Sequence, residues 1–264
     1  MIRTLNPDDL QSLYAAFTAA FSDYVVPLSP TREQFVELIT RRGWIPELSV
    51  GEFDREAMVA FTINAAEGER AYDTGTGVAP GHRRRGLARE LMARSFEVLR
   101  AHGCRTYVLE VIDSNAKAVD LYRSMGFEES RGLQCWTYAA PSSAIPALLH
   151  GVPADAESWW EVQPSWQNSL ASVARANAPH VVAGDENGYA VVFPDNGDLA
   201  QLAVRPEMRR QGIGKRLLEQ AVAVAGKPLR ILNVDEGNAG IARFLDRAGA
   251  TRSVRQIEMI RSLQ

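Results

Sequence analysis

A short phrase is written twice in this chain. Arg83-Arg84-Arg85-Gly86-Leu87-Ala88 and Arg209-Arg210-Gln211-Gly212-Ile213-Gly214 both read Arg-x-x-Gly-x-Gly/Ala, and each follows a Val-x-Pro segment, Val78-Ala79-Pro80 or Val204-Arg205-Pro206. A second matching element follows each phrase at a similar distance, Asn115-Ala116 in one half and Asn238-Ala239 in the other. Two spaced elements that recur half a chain apart predict a duplicated domain rather than one large one. With 264 residues, each half is long enough to bury a core of its own.

Composition narrows the class. A hydrophobic content of 46% with 23% charged residues is that of globular chains, and a net charge of −3 argues against a dedicated nucleic-acid binder. The two cysteines, Cys104 and Cys135, stand in apolar contexts and read as buried free thiols of a reduced compartment. The first residues lack an apolar signal region and no run approaches membrane-spanning length, so the expectation is a cytoplasmic protein without membrane partners. No His, Cys or carboxylate cluster has metal-ligand spacing.

Periodicity predicts the order β-α-α-β-β-β-α-β-α-β-β for the first half. Asn6 and Thr31 cap its first two helices, Leu10, Leu13, Tyr14 and Phe17 form the apolar stripe of the first, and Gly103 closes the helix that begins at Gly86. Two strands are expected after Phe127, the second near Gln134–Tyr138. Residues 141–164 read as a linker between a domain at 1–140 and a second at 165–264, with a helical turn allowed over Ile145–Leu149. The second half repeats the tail of the first better than its head, and its first strand is not evident.

A strand that runs through a glycine-containing turn into a helix presents several backbone N–H groups in one direction. With the positive end of the helix dipole they make an anion site, and a leading arginine adds a charge-assisted contact. Two other phosphate motifs fail on spacing. In Gly212-Ile-Gly-Lys215, Arg209 stands where a Walker loop has its leading glycine, and Arg216 replaces the Ser/Thr. Gly75-Thr-Gly77 lies inside a strand and meets Pro80 at the third glycine position of a dinucleotide fingerprint. Glycine there instead suggests close backbone approach, with room for an extended ligand along Gly77, Val78 and Ala79.

Taken together, strand, Val-x-Pro, Arg-x-x-Gly-x-Gly/Ala, helix, strand, then Asn115 opening a helix with Tyr122 and Gly126-Phe127 resembles the GNAT superfamily of acyl-CoA N-acyltransferases. The resemblance covers nearly all of residues 1–140 and, less completely, about 165–264. It implies an α/β (α+β) fold in tandem, each domain a mixed, mostly antiparallel sheet flanked by helices and splayed between its central strands. It also implies acetyl-CoA (coenzyme A) as acyl donor, held by Gly77, Val78, Ala79, Arg83, Arg84, Arg85, Gly86, Leu87, Ala88 and Asn115 in the first half. The matching positions in the second are Leu202, Ala203, Val204, Arg209, Arg210, Gln211, Gly212, Ile213, Gly214 and Asn238.

Direct attack of an amine on a thioester requires an oxyanion donor, a base and an acid. The resemblance makes Tyr122 the acid; seven residues from Asn115, it shares a helix face with it. Asp73, Glu110 and Glu52 are candidate bases, and His82 lies in the turn as an exposed loop residue. In the second half Leu245 stands where Tyr122 does and Ala250 replaces Phe127, so catalysis is expected in the first half only. Trp159, Trp160 and Trp166 read first as core or interface packing and second, like Phe21, Tyr24 and Trp44, as walls of an acceptor pocket. The expected partner is a small-molecule or peptide amine, and the assembly a monomer with pseudo-symmetric domains or a homodimer. The alternatives are a non-catalytic acyl-CoA-binding or sensing module and an acetyltransferase directed at protein lysines or N-termini.

Overall fold

The computed structural model describes residues 1–24, 28–141 and 144–264. The chain divides into two compact units, Met1–Ser130 with Ile257–Gln264, and Arg131–Gln256. In the first, the strands β1 (Ile2–Thr4), β2 (Val50–Asp54), β3 (Ala57–Glu67), β4 (Arg70–Val78) and β5 (Thr106–Ile112) lie side by side in sequence order. All these neighbours are antiparallel except β4 and β5, which α3 (Leu87–His102) joins as a parallel crossover.

Helices α1 (Leu10–Ala20) and α2 (Arg32–Arg42) bury Leu13, Phe17, Phe35 and Ile39 with Phe61 and Ile63 of β3. Thr31 and Gln34 form a capping box for α2, and Gly43 closes it at φ +85°. A second core joins α3 and α4 (Ala116–Ser124) to β5 through Met92, Phe96, Leu99, Tyr107, Tyr122 and Phe127. Ile257, Met259 and Leu263, from the end of the chain, complete it. Their alternating apolar side chains make the C-terminal residues part of the first unit, although sequence order suggests the second.

The second unit contains residues 131–138 of β6 (Glu128–Tyr138), β7 (Leu148–Leu149), β8 (Val181–Asp185), β9 (Gly188–Phe193), β10 (Asp198–Val204), β11 (Leu229–Asp235) and residues 251–256 of β12 (Thr251–Ser262). Its order is β6-β11-β10-β9-β8-β7, with α5 (Leu170–Arg175), α6 (Ile213–Ala225) and α7 (Ala239–Ala248). Three local expectations change. β6 is one continuous strand rather than two, residues 148–149 are strand rather than a helical turn, and β7 with β8 supplies the head that seemed missing. The stretch expected as linker puts Ala156 and Trp159 into the core, against Tyr189 and Val191, because an indole buried there removes more apolar surface than any connector residue. Cys104 and Cys135 are free and buried.

Gly77 owes its identity to packing. A Cβ there would stand 2.6 Å from Phe61 Cζ and 2.9 Å from Ala20 Cβ, on the α1 side of the strand. Both neighbours are held in the core, so Gly77→Ala is expected to destabilise the first unit by about 1–3 kcal/mol through overpacking. Denaturant unfolding checks this; an unchanged midpoint would mean that α1 moves freely.

Candidate active site

Strands β4 and β5 pair only from Arg70↔Thr106 to Asp73↔Leu109, then separate. Opposite β3, the register skips Thr74, which forms a bulge between Asp73↔Asn64 and Gly75↔Ile63. Beyond the bulge, the Ala79 amide donates to Val59 O on β3. Strand alternation therefore turns the main-chain groups of Thr76 and Val78 into the gap left by β5. Two of the carbonyls on that edge already have donors, Thr74 O from Arg42 Nη1 at 3.0 Å and Val78 O from Arg83 Nε at 3.1 Å. What remains is a short row of unpaired strand edge, suited to an extended amide-bearing chain.

The turn that follows presents main-chain amides at a helix start. Arg84 at φ +63° and Gly86 at φ +83° bend the chain so that α3 starts without a side-chain cap. Among the described residues, the amides of 84–88 find no backbone acceptor. The other helices of six or more residues after α1 do have side-chain caps, from Thr31, Asn115, Ser169 and Asn238; only α3 and α6, which follow the repeated phrases, do not. Arg84 and Arg85 are exposed beside the turn, and Leu87 and Ala88 are half-buried at the helix start.

Arg83 has partners within the protein that its sequence position does not reveal. Its guanidinium forms a bidentate pair with Asp23, both distances 2.7 Å, and also donates to Ala20 O and Val78 O. Arg83 thus fastens the turn to the end of α1. The pair holds the Asp23 carboxyl below its ordinary range. If the turn takes the acetyl-CoA that the resemblance implies, Arg83→Lys and Asp23→Ala should raise its KM by similar, severalfold factors, with the double variant little worse than either. A much larger effect of Arg83→Lys alone would mean direct contact with the donor.

At the apex of the splay the bulge gathers polar groups. Asp73 Oδ1 accepts from the Gly75 amide and Oδ2 from Thr76 Oγ1, both at 2.8 Å. Burial pushes the Asp73 carboxyl up to about 7, against the pull of these donors and of Arg42. Tyr122, on α4, is 8% exposed and packs edge-on to Phe127. Its phenol is held well above the usual range, first by burial, then by the Asp73 charge and Tyr24, with Thr76 close enough to oppose this. Tyr24 in turn reaches the Asn115 side chain. Asn115 mainly caps α4, accepting from the Ala118 amide. Glu110 is half-buried on β5 just past the point of separation and accepts from Tyr72 Oη at 2.9 Å.

Tyr122, Asp73 and, through Tyr24, Asn115 are thus drawn into one cluster with Thr76, and Glu110 joins its edge through Tyr72. Two other candidates stand apart. Glu52 pairs with the Met1 amino group on β2, with β3 between it and β4, and His82 lies 3.7 Å from Asp54. Thr76 was not anticipated. It is three residues from Asp73, an odd spacing that a regular strand sends to opposite faces; only the bulge unites them.

The second unit repeats the backbone. Arg210 at φ +61° and Gly212 at φ +81° reproduce the turn, and Arg209 donates to Val204 O, as Arg83 does to Val78 O. Its remaining nitrogens reach Trp159 O and Glu161, whose other oxygen accepts from Asn238 Nδ2. The bulge recurs at Ala200, and β10 meets β11 only at Asp198↔Arg230. Register from this bulge makes Leu199 and Leu202 the counterparts of Asp73 and Thr76, and Leu245 that of Tyr122. A cleft of about 860 Å³ opens there.

Comparison with known proteins shows two domains of one family in tandem. A family model described as "Acetyltransferase (GNAT) family" matches residues 13–127, and one described as "Acetyltransferase (GNAT) domain" matches 172–249. Together they span well over half of the sequence, and the chain belongs to the GNAT acetyltransferase family, a family of acyltransferases that use acetyl-CoA, with two such domains in tandem.

Among curated relatives, the Escherichia coli (strain K12) [ribosomal protein bS18]-alanine N-acetyltransferase is 38% identical over 73 residues, 28% of this chain and 49% of that protein. The streptothricin acetyltransferase of Streptomyces lavendulae is 46% identical over 50 residues, 19% of this chain and 26% of that protein. The chain thus spans about half the length of the first relative and about a quarter of the second. In fold, it is similar over 100% of its length to 96% of a GCN5-related N-acetyltransferase from Sphaerobacter thermophilus, with a TM-score of 0.74 and 18% identity. No helix among the described residues is long and apolar enough to cross a membrane.

Proposed function

We propose that this chain is an acetyl-CoA-dependent N-acetyltransferase whose chemistry takes place in the first unit, with a primary amine as acceptor. The observation that carries the reading is the cluster of Asp73, Thr76 and Tyr122 at the end of an open strand edge that leads back to an uncapped turn. Acetyl-CoA supplies a thioester whose C–S bond breaks as the C–N bond forms. The amides of 84–88 bind its diphosphate, the edge at Thr76 and Val78 pairs with its amide-bearing arm, and an N–H of that edge meets the carbonyl oxygen.

Glu110, half-buried on β5 just past the separation of the strands and accepting from Tyr72 through Oε2, is the carboxylate proposed to take the amine proton. Tyr122 hands its proton to the departing sulfur. Asp73, with a donor on each oxygen and nearly out of solvent, is assigned to positioning Thr76 and Tyr122 rather than to meeting the substrate. In the second unit the same three positions are leucines, which neither give nor take protons. The main chain of Leu202 to Val204 and of Arg210 to Gly214 there is proposed to hold coenzyme A without chemistry, with Arg209 bracing its turn as Arg83 does. The relatives named above act on a protein N-terminal alanine and on streptothricin, so both peptide and small amines belong in an acceptor panel.

The test is thiol release from acetyl-CoA across that panel, with one turn closed by a carboxylate. Gly86→Asp is expected to bring release to the blank rate. Release that persists in this variant and disappears in Gly212→Asp would move the chemistry to the second unit.

A further inference from the structure

The cleft of the second unit carries more information than a degenerate copy would. At one end lies the uncapped start of α6, with Arg210 and Lys215 beside it. At the other, the polar trio of the first unit is replaced by Leu199, Leu202 and Leu245, and the wall continues in Ile231 and Phe244. The apex also lies one residue further back. Pairing of β10 with β11 stops at Asp198, the counterpart of Tyr72, whereas β4 stays paired through Asp73. One strand residue adds about 3 Å of depth.

Four residues beside the apex are linked in a chain of hydrogen bonds. Trp160 Nε1 donates to Tyr189 Oη at 2.9 Å, Tyr189 Oη to Gln201 Oε1 at 3.0 Å, and Gln201 Nε2 to Asn168 O at 2.7 Å. Asn168 Nδ2 donates to Leu232 O at 2.8 Å. This chain of bonds engages the polar groups next to the leucine wall, which is the apolar part of a cleft that Glu161, Asn233, Asp235 and Arg243 also line. A molecule fitting the whole cleft is anionic at one end, amide-bearing along the strand edge and hydrocarbon at the other.

We infer that the second unit is a holding site for a coenzyme A thioester whose acyl chain is longer than acetyl, for which octanoyl-CoA serves as the probe. The inference rests on the reading that the second turn takes a coenzyme A diphosphate, and adds what lies beyond the sulfur. An acetyl methyl leaves most of the leucine surface uncovered. Each further methylene that is buried there is worth about 0.8 kcal/mol, roughly a fourfold gain in affinity. The 860 Å³ of the cleft lies in the range of sites that enclose ligands of drug size.

The test uses the full chain carrying Gly86→Asp, which closes the first turn, titrated with acetyl-CoA, octanoyl-CoA, coenzyme A and octanoate. Octanoyl-CoA is expected to bind once per chain and roughly 30-fold or more tighter than acetyl-CoA, as burial of only part of its six extra methylenes already requires. The double variant Leu202→Thr, Leu245→Tyr should cut that preference to within about fivefold, since polar groups then interrupt the wall.

A second readout needs no variant. Trp159 and Trp160 line this cleft, whereas the first unit holds only Trp44, so tryptophan emission of the unmodified protein should respond to octanoyl-CoA more than to acetyl-CoA. Equal affinities for the two thioesters would overturn the inference while leaving the catalytic reading intact, as would octanoate binding as well as octanoyl-CoA. Octanoyl-CoA binding that is indifferent to Gly212→Asp would instead remove the second diphosphate site on which the inference rests. Failure of the catalytic reading is recorded separately, as absence of thiol release in the unmodified protein.

Discussion

Replacing Tyr122 by phenylalanine is expected to lower turnover on the order of a hundredfold or more, the usual contribution of a positioned proton donor. Affinity for acetyl-CoA should stay within a factor of about two, because the ring keeps its packing on Phe127 and only the hydroxyl is lost. Burial and the Asp73 charge raise the phenol well above its usual range, which keeps it protonated throughout the neutral and mildly alkaline region. The same desolvation raises the proton affinity of a departing thiolate in the cleft, so donor and acceptor move together.

This gives the prediction a signature that a merely structural loss would lack. A thioester with a strongly acidic thiol needs little protonation as it leaves, so an aryl thioacetate should recover most of the lost rate in Tyr122→Phe. Stopped-flow thiol release with both donors reads the two cases side by side. An equal defect with both donors, or none with either, would remove Tyr122 from proton transfer.

Much of this arrangement was legible in the sequence, and the parts that were not have identifiable causes. The two turns declared themselves because glycine at φ +83° and +81° is required by backbone geometry, and that leaves a fixed mark in the chain. Tyr122 was singled out by the family resemblance, and its spacing from Asn115 added only that a helix keeps residues seven apart on one face. The task of Arg83 was not legible: its carboxylate partner, Asp23, is distant in sequence and belongs to no pattern. Thr76 was hidden by the bulge at Thr74, which breaks the period of two on which strand reading depends. The membership of residues 257–264 in the first unit was hidden for a related reason. An alternating strand such as Ile257, Met259 fits any half-covered sheet, and nothing local says which.

Asp73→Asn is expected to move stability and activity in opposite directions. The carboxyl titrates near its ordinary 3.8 in the unfolded chain and at about 7 in the fold. As pH rises the unfolded chain gives up this proton first, so the stability tied to the protonated group is complete below 3.8 and is lost progressively until about 7. At 1.36 kcal/mol per unit, that loss is about 4 kcal/mol in the wild type at pH 8, as an order of magnitude. Asparagine keeps the acceptor for the Gly75 amide and carries no charge to bury, so the variant should be the more stable protein at pH 8 by up to that amount, and about equal to it at pH 3.5.

Activity should fall by about tenfold or more in the same variant, since Thr76 and Tyr122 lose the carboxylate that orients them. The limb of the pH–rate profile near pH 7 should disappear with it. Denaturant unfolding at several pH values, with kcat measured over the same range, supplies both curves. A stability curve whose pH dependence is unchanged by the substitution would show that the buried carboxyl does not hold its proton near neutrality. The cost of keeping this group inside the fold would then have no counterpart in catalysis. If both changes occur together, that cost is the part of the first unit's stability given up to position Tyr122, and the leucine at the equivalent place in the second unit is what the position becomes when no proton has to be moved.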